Sequence, residues 1–296
     1  MRRYKNLSNI IFDSFVTVLL ILFGLLCLLP LLHLIALSLS SAHAALSGRV
    51  SFFPVEFTPT AYFMLFRDDR YIAAFFVSLQ RILLGGGINL ILTVLTGFAL
   101  SQEPKNFPGR NIYMWILIWA MLFVASVVPW FFVIRATGLL DSIWALVLPG
   151  ALPVFNTILL MNFFRNQPKE IKESALIDGV NPFQMMLQIA VPLALPAIAT
   201  VTMFSIVNHW NSFFDGMLLI NTPSRIPLQT YIQSLIAANV TMMAQSGMTS
   251  EELAALSALR TFNAARTVIA IIPILIIYPF MQRYFVTGIT LGSVKE

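Results

Sequence analysis

Pro168-Lys-Glu-Ile-Lys-Glu-Ser-Ala-Leu-Ile-Asp178-Gly179, continuing as Val-Asn-Pro182-Phe-Gln-Met-Met-Leu-Gln-Ile189-Ala-Val-Pro192-Leu-Ala-Leu-Pro196, separates two long apolar runs and carries its own helix punctuation. Pro168 suits a helix start, where a missing N–H leaves no bond unmade. Lys169 to Ile177 reads as a short amphipathic helix in which Ile171, Ala175 and Leu176 can share one face while Lys172 and Glu173 sit elsewhere. Gly179 can take the left-handed conformation that closes a helix. Asn181-Pro182 then reads as the cap and first turn of a second short helix. The expected product is a helix–Gly–helix elbow, partly apolar and shaped to dock into a groove on another protein.

The sequence around the elbow belongs in a bilayer. Hydrophobic residues make up 58% of the chain and charged ones 10%, against about 25% charged in a soluble domain. Mean hydropathy is +0.83. Six segments are long enough to span: about 10–39, 72–100, 112–134, 142–164, a fifth in the latter part of 179–214, and about 267–281. Continuous rather than alternating apolar runs exclude a β-barrel. Arg2-Arg3 and Ala42-His43-Ala44 mimic a cleaved leader, but the first apolar run is about twice the usual 7–15 residues, so a retained helix is expected.

An even number of spans puts both termini on one side, together with Lys5, Lys105, Lys169, Lys172 and Lys295, which predicts cytoplasmic termini. The net charge of +5 therefore reports orientation rather than a nucleic-acid partner. Cys27 is the one cysteine, which excludes an internal disulfide and gives no metal-ligand spacing. Outer loops are expected at about 40–71 and 221–266, the second with a short helix opening at Ser250.

The elbow resembles the "EAA" loop of ABC importer permeases, whose pattern is Glu-Ala-Ala, three residues, Gly, nine residues, Ile, one residue, Leu-Pro. Glu173, Ala175, Gly179, Ile189 and Pro192 match in register; Ser174 replaces the second position and Val191 the leucine. The six spans and the closing Gln282 to Lys295 are similar to the smaller permease of maltose-type carbohydrate importers. Trp210-Asn211-Ser-Phe-Phe-Asp215 and Pro227-Leu-Gln229 resemble the oligosaccharide and polysaccharide branch, with alginate among the candidate substrates.

The resemblance implies an all-α integral membrane fold of the type I ABC importer permease. One permease domain would cover residues 1–296, with the coupling loop at about 165–196. It implies a heterodimer with a second permease, two ATP-binding subunits carrying ATP and Mg2+, and a periplasmic solute-binding protein. This chain would hold no cofactor or metal of its own, would catalyse nothing, and would sit in the bacterial inner membrane. Coupling to the ATPase falls to Glu173, Ser174, Ala175, Asp178, Gly179, Pro182, Ile189 and Pro192. Glu173 carries over the family glutamate that pairs with a basic ATPase residue, and the tail to Lys295 is expected near the ATPase subunits.

Asn208, His209, Trp210, Asn211 and Asp215 cluster around the outer half of span five and are the candidate translocation path, since polar groups at depth face a bundle interior or a wet cavity. Arg81, near the outer end of span two, reads as a snorkelling anchor rather than a gate. Gly85-Gly86-Gly87 reads as a helix-packing site; Ile88 and Asn89 follow where a phosphate-binding loop needs Gly-Lys-Ser/Thr. Asn156 and Asn162 read as interhelical hydrogen-bonders. A stand-alone secondary transporter or channel would need inverted repeats or midplane ionisable groups, which the charge-free middle argues against. A membrane enzyme would need convergent acid, base or metal groups, and His33, His43 and His209 are scattered.

Overall fold

Apolar periodicity and proline together set the architecture. In the computed structural model, which describes residues 7–243 and 250–293, those residues form helices and turns without a strand. In chain order the principal helices are α1 (Leu7–Ser38), α2 (Asp69–Arg81), α3 (Gly87–Ser101), α4 (Arg110–Leu122), α5 (Val127–Ala136), α6 (Val154–Arg165), α7 (Lys169–Ile177), α8 (Leu195–Asn211), α9 (Leu228–Met243) and α10 (Ser250–Ser293). Arg2, Arg3, Lys5 and Lys295 lie outside the described residues.

Three continuous helices are long and apolar enough to cross a membrane: Ile10–Ser38, Asp69–Ser101 and Leu259–Phe280. Three bent pairs meet the same measure together, which makes six spans when each pair counts as one. The fold is thus an all-α, multi-pass membrane protein.

Three of the six spans are bent pairs rather than continuous helices. The third segment is two helices, α4 and α5, that turn by 118°. Pro129 accounts for the break: in a continuous helix its ring would clash with the Ala125 carbonyl, which it has no N–H to bond, so one helix cannot run through. Span four bends by 45° between Ile143–Gly150 and α6, beside Pro149 and Pro153. Pro182–Leu193 meets α8 at 85°, where Pro196 stands at the second position of the new helix. The last helix runs on through Pro273 and Pro279.

Two compact units emerge, residues 1–69 with 235–271, and 70–234 with 272–296. In the first, Ala36, Leu37, Ala44, Ala45, Val50 and Ala264 form a small core. The loop after α1 folds back on that helix, with the Ser51 carbonyl 2.7 Å from His33 Nδ1 and the Thr58 N–H donating to Leu39 O at 2.9 Å. The second unit holds the larger core, in which Phe98, Phe164, Ala175, Met185, Met186, Ala190 and Val201 bring α3, α6, α8 and the elbow together.

Candidate functional site

Each bend of the elbow has a local cause. Helix α7 ends with Gly179 at φ +75°, where any side chain would strain the backbone. The Val180 N–H then donates to Ala175 O at 3.0 Å and the Gly179 N–H to Leu176 O at 3.2 Å, the paired bonds of a Schellman closure. Asn181 opens the next helix: its Oδ1 accepts from the N–H groups of Phe183 and Gln184, and Gln184 Oε1 accepts from the Asn181 N–H. That reciprocal box satisfies donors no helix bond can reach. From Met185 to Ala190 the helix widens into a π-helix before ending at Leu193.

The elbow is stapled to the spans. Ala175 is buried among Phe164, Met185, Met186 and Ala190. Lys172 Nζ donates to Phe164 O at 2.7 Å and Gln167 Nε2 to Ala190 O at 2.8 Å. Lys172 thus caps the carbonyl end of α6, and burial holds its amine below the usual lysine range. Leu176, Ile177 and Phe183 face outward, Ile177 at 86% exposure. The expected shared face divides, because Leu176 is one helical step from Ala175 and turns to solvent. Glu173, Ser174, Asp178, Gly179, Pro182 and Pro192 are exposed, and Ile189 is half-buried. Glu103, its carboxyl held low mainly by a hydrogen bond from Lys105, also feels the charges of Lys169 and Lys172, so the loop after α3 shares this end of the unit.

The candidate path residues separate by helix face. Val201, Ser205 and His209 form a buried stripe on α8 at four-residue spacing, whereas Phe204, Asn208 and Asn211 form an open one. Trp210 is buried with its ring edge-on to Phe75, centroids 5.8 Å apart. Asp215 pairs with Arg81 through both carboxylate oxygens. Arg81 is 3% exposed, which corrects the snorkelling-anchor expectation: its guanidinium points inward to Asp215 and His209, because a charge at that depth is held by a counter-charge and hydrogen bonds.

From Arg81 a chain of hydrogen bonds runs across three spans. Arg81 Nε donates to His209 Nδ1 at 3.4 Å, which leaves the ring proton on Nε2. With its amide oxygen turned to that Nε2–H, at 3.2 Å, Asn89 points its NH2 at the carbonyls of Gly85, Gly150 and Ala151, at 3.0–3.1 Å. One side chain of span two thereby satisfies carbonyls freed where span four breaks. Gly85 lies against the same ring; a methyl group there would come within 2.5 Å of His209 Nε2. Gly85 and Gly86 sit in a π-helical turn, Ile82–Gly86, so their backbone is engaged in a helix rather than free to cradle phosphate. Asn89 escaped the sequence reading; an amide inside an apolar span was the available signal.

A groove of about 380 Å³ opens beside this network, lined among others by Asn89, Pro153, Phe155, Asn156, Phe204 and Asn208. Asn156 bonds across helices to Val201 O and Ser205 Oγ, each at 3.2 Å; Asn162 is exposed. At the opposite end from the elbow, Asp141 accepts from the N–H groups of Asn221 and Thr222 at 3.0 and 2.9 Å and tethers Arg225. The Thr222 hydrogen bonds hold its carboxyl below the usual aspartate value. That stabilisation is present above the unfolded pKa and is lost as pH falls through the lowered one.

No protein-family model matches the chain. Over 289 residues it is 35% identical to the polygalacturonan/rhamnogalacturonan transport system permease protein YtcP of Bacillus subtilis, covering 98% of this chain and 100% of that one. Protein LplC of the same organism is 36% identical over 274 residues, 92% of this chain and 90% of the other. The crystal structure of a bacterial ABC transporter involved in the import of the acidic polysaccharide alginate superposes with a TM-score of 0.83 at 31% identity, covering 95% of this chain and 99% of that one. The chain belongs to the permease family of carbohydrate ABC importers, as the spacing from Glu173 to Pro192 leads one to expect.

Proposed function

We propose that this chain is one of two permeases in a heterodimer that imports an oligosaccharide or polysaccharide fragment. Two separate ATP-binding subunits, which take ATP and Mg2+, would drive it, and a periplasmic binding protein would deliver the sugar. Both termini and the elbow face the cytoplasm, in keeping with the lysine distribution. The names of its relatives favour an acidic glycan such as polygalacturonan or alginate.

The observation that carries the reading is the elbow's two-sided construction. Its inner side is locked to α6 by Lys172 and Ala175, and Gln167 ties the connection after α6 to the Ala190 carbonyl, so a push is transmitted rather than absorbed. Its outer side shows Leu176, Ile177 and Phe183 beside Glu173, an apolar surface with a charge that suits a cleft on an ATPase subunit. Glu173, Ser174 and Asp178 make the polar contacts, Gly179 and Pro182 set the bend, and Ile189 and Pro192 relay it toward α8. At the other end Asn208 and Asn211 border the path, while His209, Trp210 and Asp215 hold its wall in place. Closure of the ATPase pair on nucleotide would then swing the spans from inward-facing to outward-facing.

The test is uptake by the reconstituted importer. Gly179→Pro demands φ near −65° where the elbow needs +75°, and should abolish uptake while the chain still inserts. A cysteine at Ser174 should crosslink to the ATPase subunit. Normal uptake by Gly179→Pro, with no crosslink over several linker lengths, overturns the coupling role.

A further inference from the structure

Asn208, in the apolar span that ends at Asn211, presents an amide with no hydrogen-bond partner among the described residues, and none of the described residues lining its groove is charged. Hydrocarbon cannot satisfy such an amide, so this face of α8 meets water, a polar ligand or another protein, and the open groove beside it favours a ligand. Phe204, one turn earlier on the same stripe, is 43% exposed, and Phe155 across the groove is 62% exposed. The two rings lie 6.5 Å apart with planes tilted by 43°, an open aromatic wall rather than a packed core pair.

The far wall is the break in span four at Gly150 and Pro153. Its freed carbonyls are held by Asn89, so the break is braced from behind and its shape does not depend on what fills the groove. Interrupted helices at membrane depth are tolerated where they line a cavity. A volume of about 380 Å³ falls within the roughly 300–1,000 Å³ of small-molecule sites.

Resting on the permease reading above, we propose that Phe155, Phe204 and Asn208 form a subsite inside the membrane that takes one pyranose ring of the passing glycan by its uncharged face. The ring's C–H face lies on the phenyl groups. The Asn208 amide, which both donates and accepts, pairs with neighbouring hydroxyls. None of the described lining residues can bind a carboxylate as an ion pair, so the subsite reads the pyranose itself and not its acid group. Such a contact holds a chain in transit without gripping it.

The experiment uses the complete importer in proteoliposomes, with maltotriose, trigalacturonate and methyl-esterified trigalacturonate as probes. Phe155→Leu and Phe204→Leu keep apolar bulk but lose the ring face. Each should lower uptake of the transported probes about tenfold, whereas Phe204→Trp should stay near the parent. ATPase stimulation by the loaded binding protein should remain within about twofold in all of them, since the elbow is untouched. Asn208→Asp should reduce trigalacturonate uptake more than uptake of its methyl ester, by repulsion. Parent-like uptake by both leucine variants overturns the subsite. So does loss of the second permease from the purified complex, which would make this face a protein interface. If the unaltered importer takes up none of the three probes with ATP, the glycan substrate proposed above fails first and this subsite falls with it.

Discussion

The elbow and the Arg81–His209–Asn89 network sit in the same compact unit and are built on opposite principles. The elbow is made by neighbours in sequence: Gly179, Asn181 and Gln184 each act within a few residues, and most of its side chains are exposed. The network joins side chains far apart in the chain, Arg81 and Asp215 being 134 positions distant, and is almost wholly buried. A surface that must meet another protein can be specified locally and can tolerate change in its stability. A polar core inside a bilayer has no water to rescue it, so every member depends on the rest.

The contrast is broken most directly at the ion pair. Arg81→Ala or Asp215→Ala leaves a buried charge without its partner, a loss of about 3–5 kcal/mol. Little folded protein should accumulate, as read by thermal unfolding in detergent and by the amount in membranes. The double variant Arg81→Gln with Asp215→Asn keeps hydrogen bonding without charge and should recover much of the loss. If both single variants melt with the parent, the pair does not hold the network.

A smaller effect is expected next to the histidine. Gly85→Ala places a methyl group within 2.5 Å of His209 Nε2, and overpacking of this kind costs about 1–3 kcal/mol. The gain in helix propensity, about 1 kcal/mol, offsets part of it. Gly87→Ala, which meets nothing within 4 Å, serves as the control and should be neutral or slightly stabilising. Equal melting temperatures for the two variants would show that the close approach of Gly85 to the ring is not needed.

These sites also mark where sequence was and was not enough. The spans follow from hydropathy, and the turn at Gly179 with the cap at Asn181 follows from residue chemistry that acts over one helical turn. The bend inside the third segment was signalled by Pro129, yet the surrounding apolar run outweighed it because hydropathy is blind to hydrogen bonding. The open stripe of Phe204, Asn208 and Asn211 is periodic and legible once α8 is known to be helical. Which stripe is buried is decided by α6 and α3 packing against it, and no local pattern encodes that. The pairing of Arg81 with Asp215 is a tertiary contact between two residues that the sequence offered separate roles, an anchor for Arg81 and a path residue for Asp215.

On the elbow itself the stability effects should shrink. Asn181→Ala removes the side-chain acceptor for the Phe183 and Gln184 N–H groups, and loss of such a cap costs about 1 kcal/mol. Because Asn181 is exposed, water can replace part of the bond. Unfolding should move by a few degrees at most, while uptake falls because the second helix of the lever frays. Unchanged uptake would place the mechanical joint at Gly179 alone.

Glu173→Ala is the sharpest case because its two readouts should part company. The side chain is exposed and makes no hydrogen bond or ion pair among the described residues, so its removal should shift stability by no more than about 0.5 kcal/mol. Alanine is also the better helix former, which favours α7 if anything. A structural role therefore predicts a silent variant. The coupling role predicts a folded, membrane-inserted and correctly assembled importer whose uptake and sugar-stimulated ATP hydrolysis both fall steeply. Rescue by Glu173→Asp would be incomplete, since the shorter side chain withdraws the carboxylate from the cleft. Parent-level uptake by Glu173→Ala, at parent stability, would leave the exposed apolar residues Leu176, Ile177 and Phe183 to carry the contact without it.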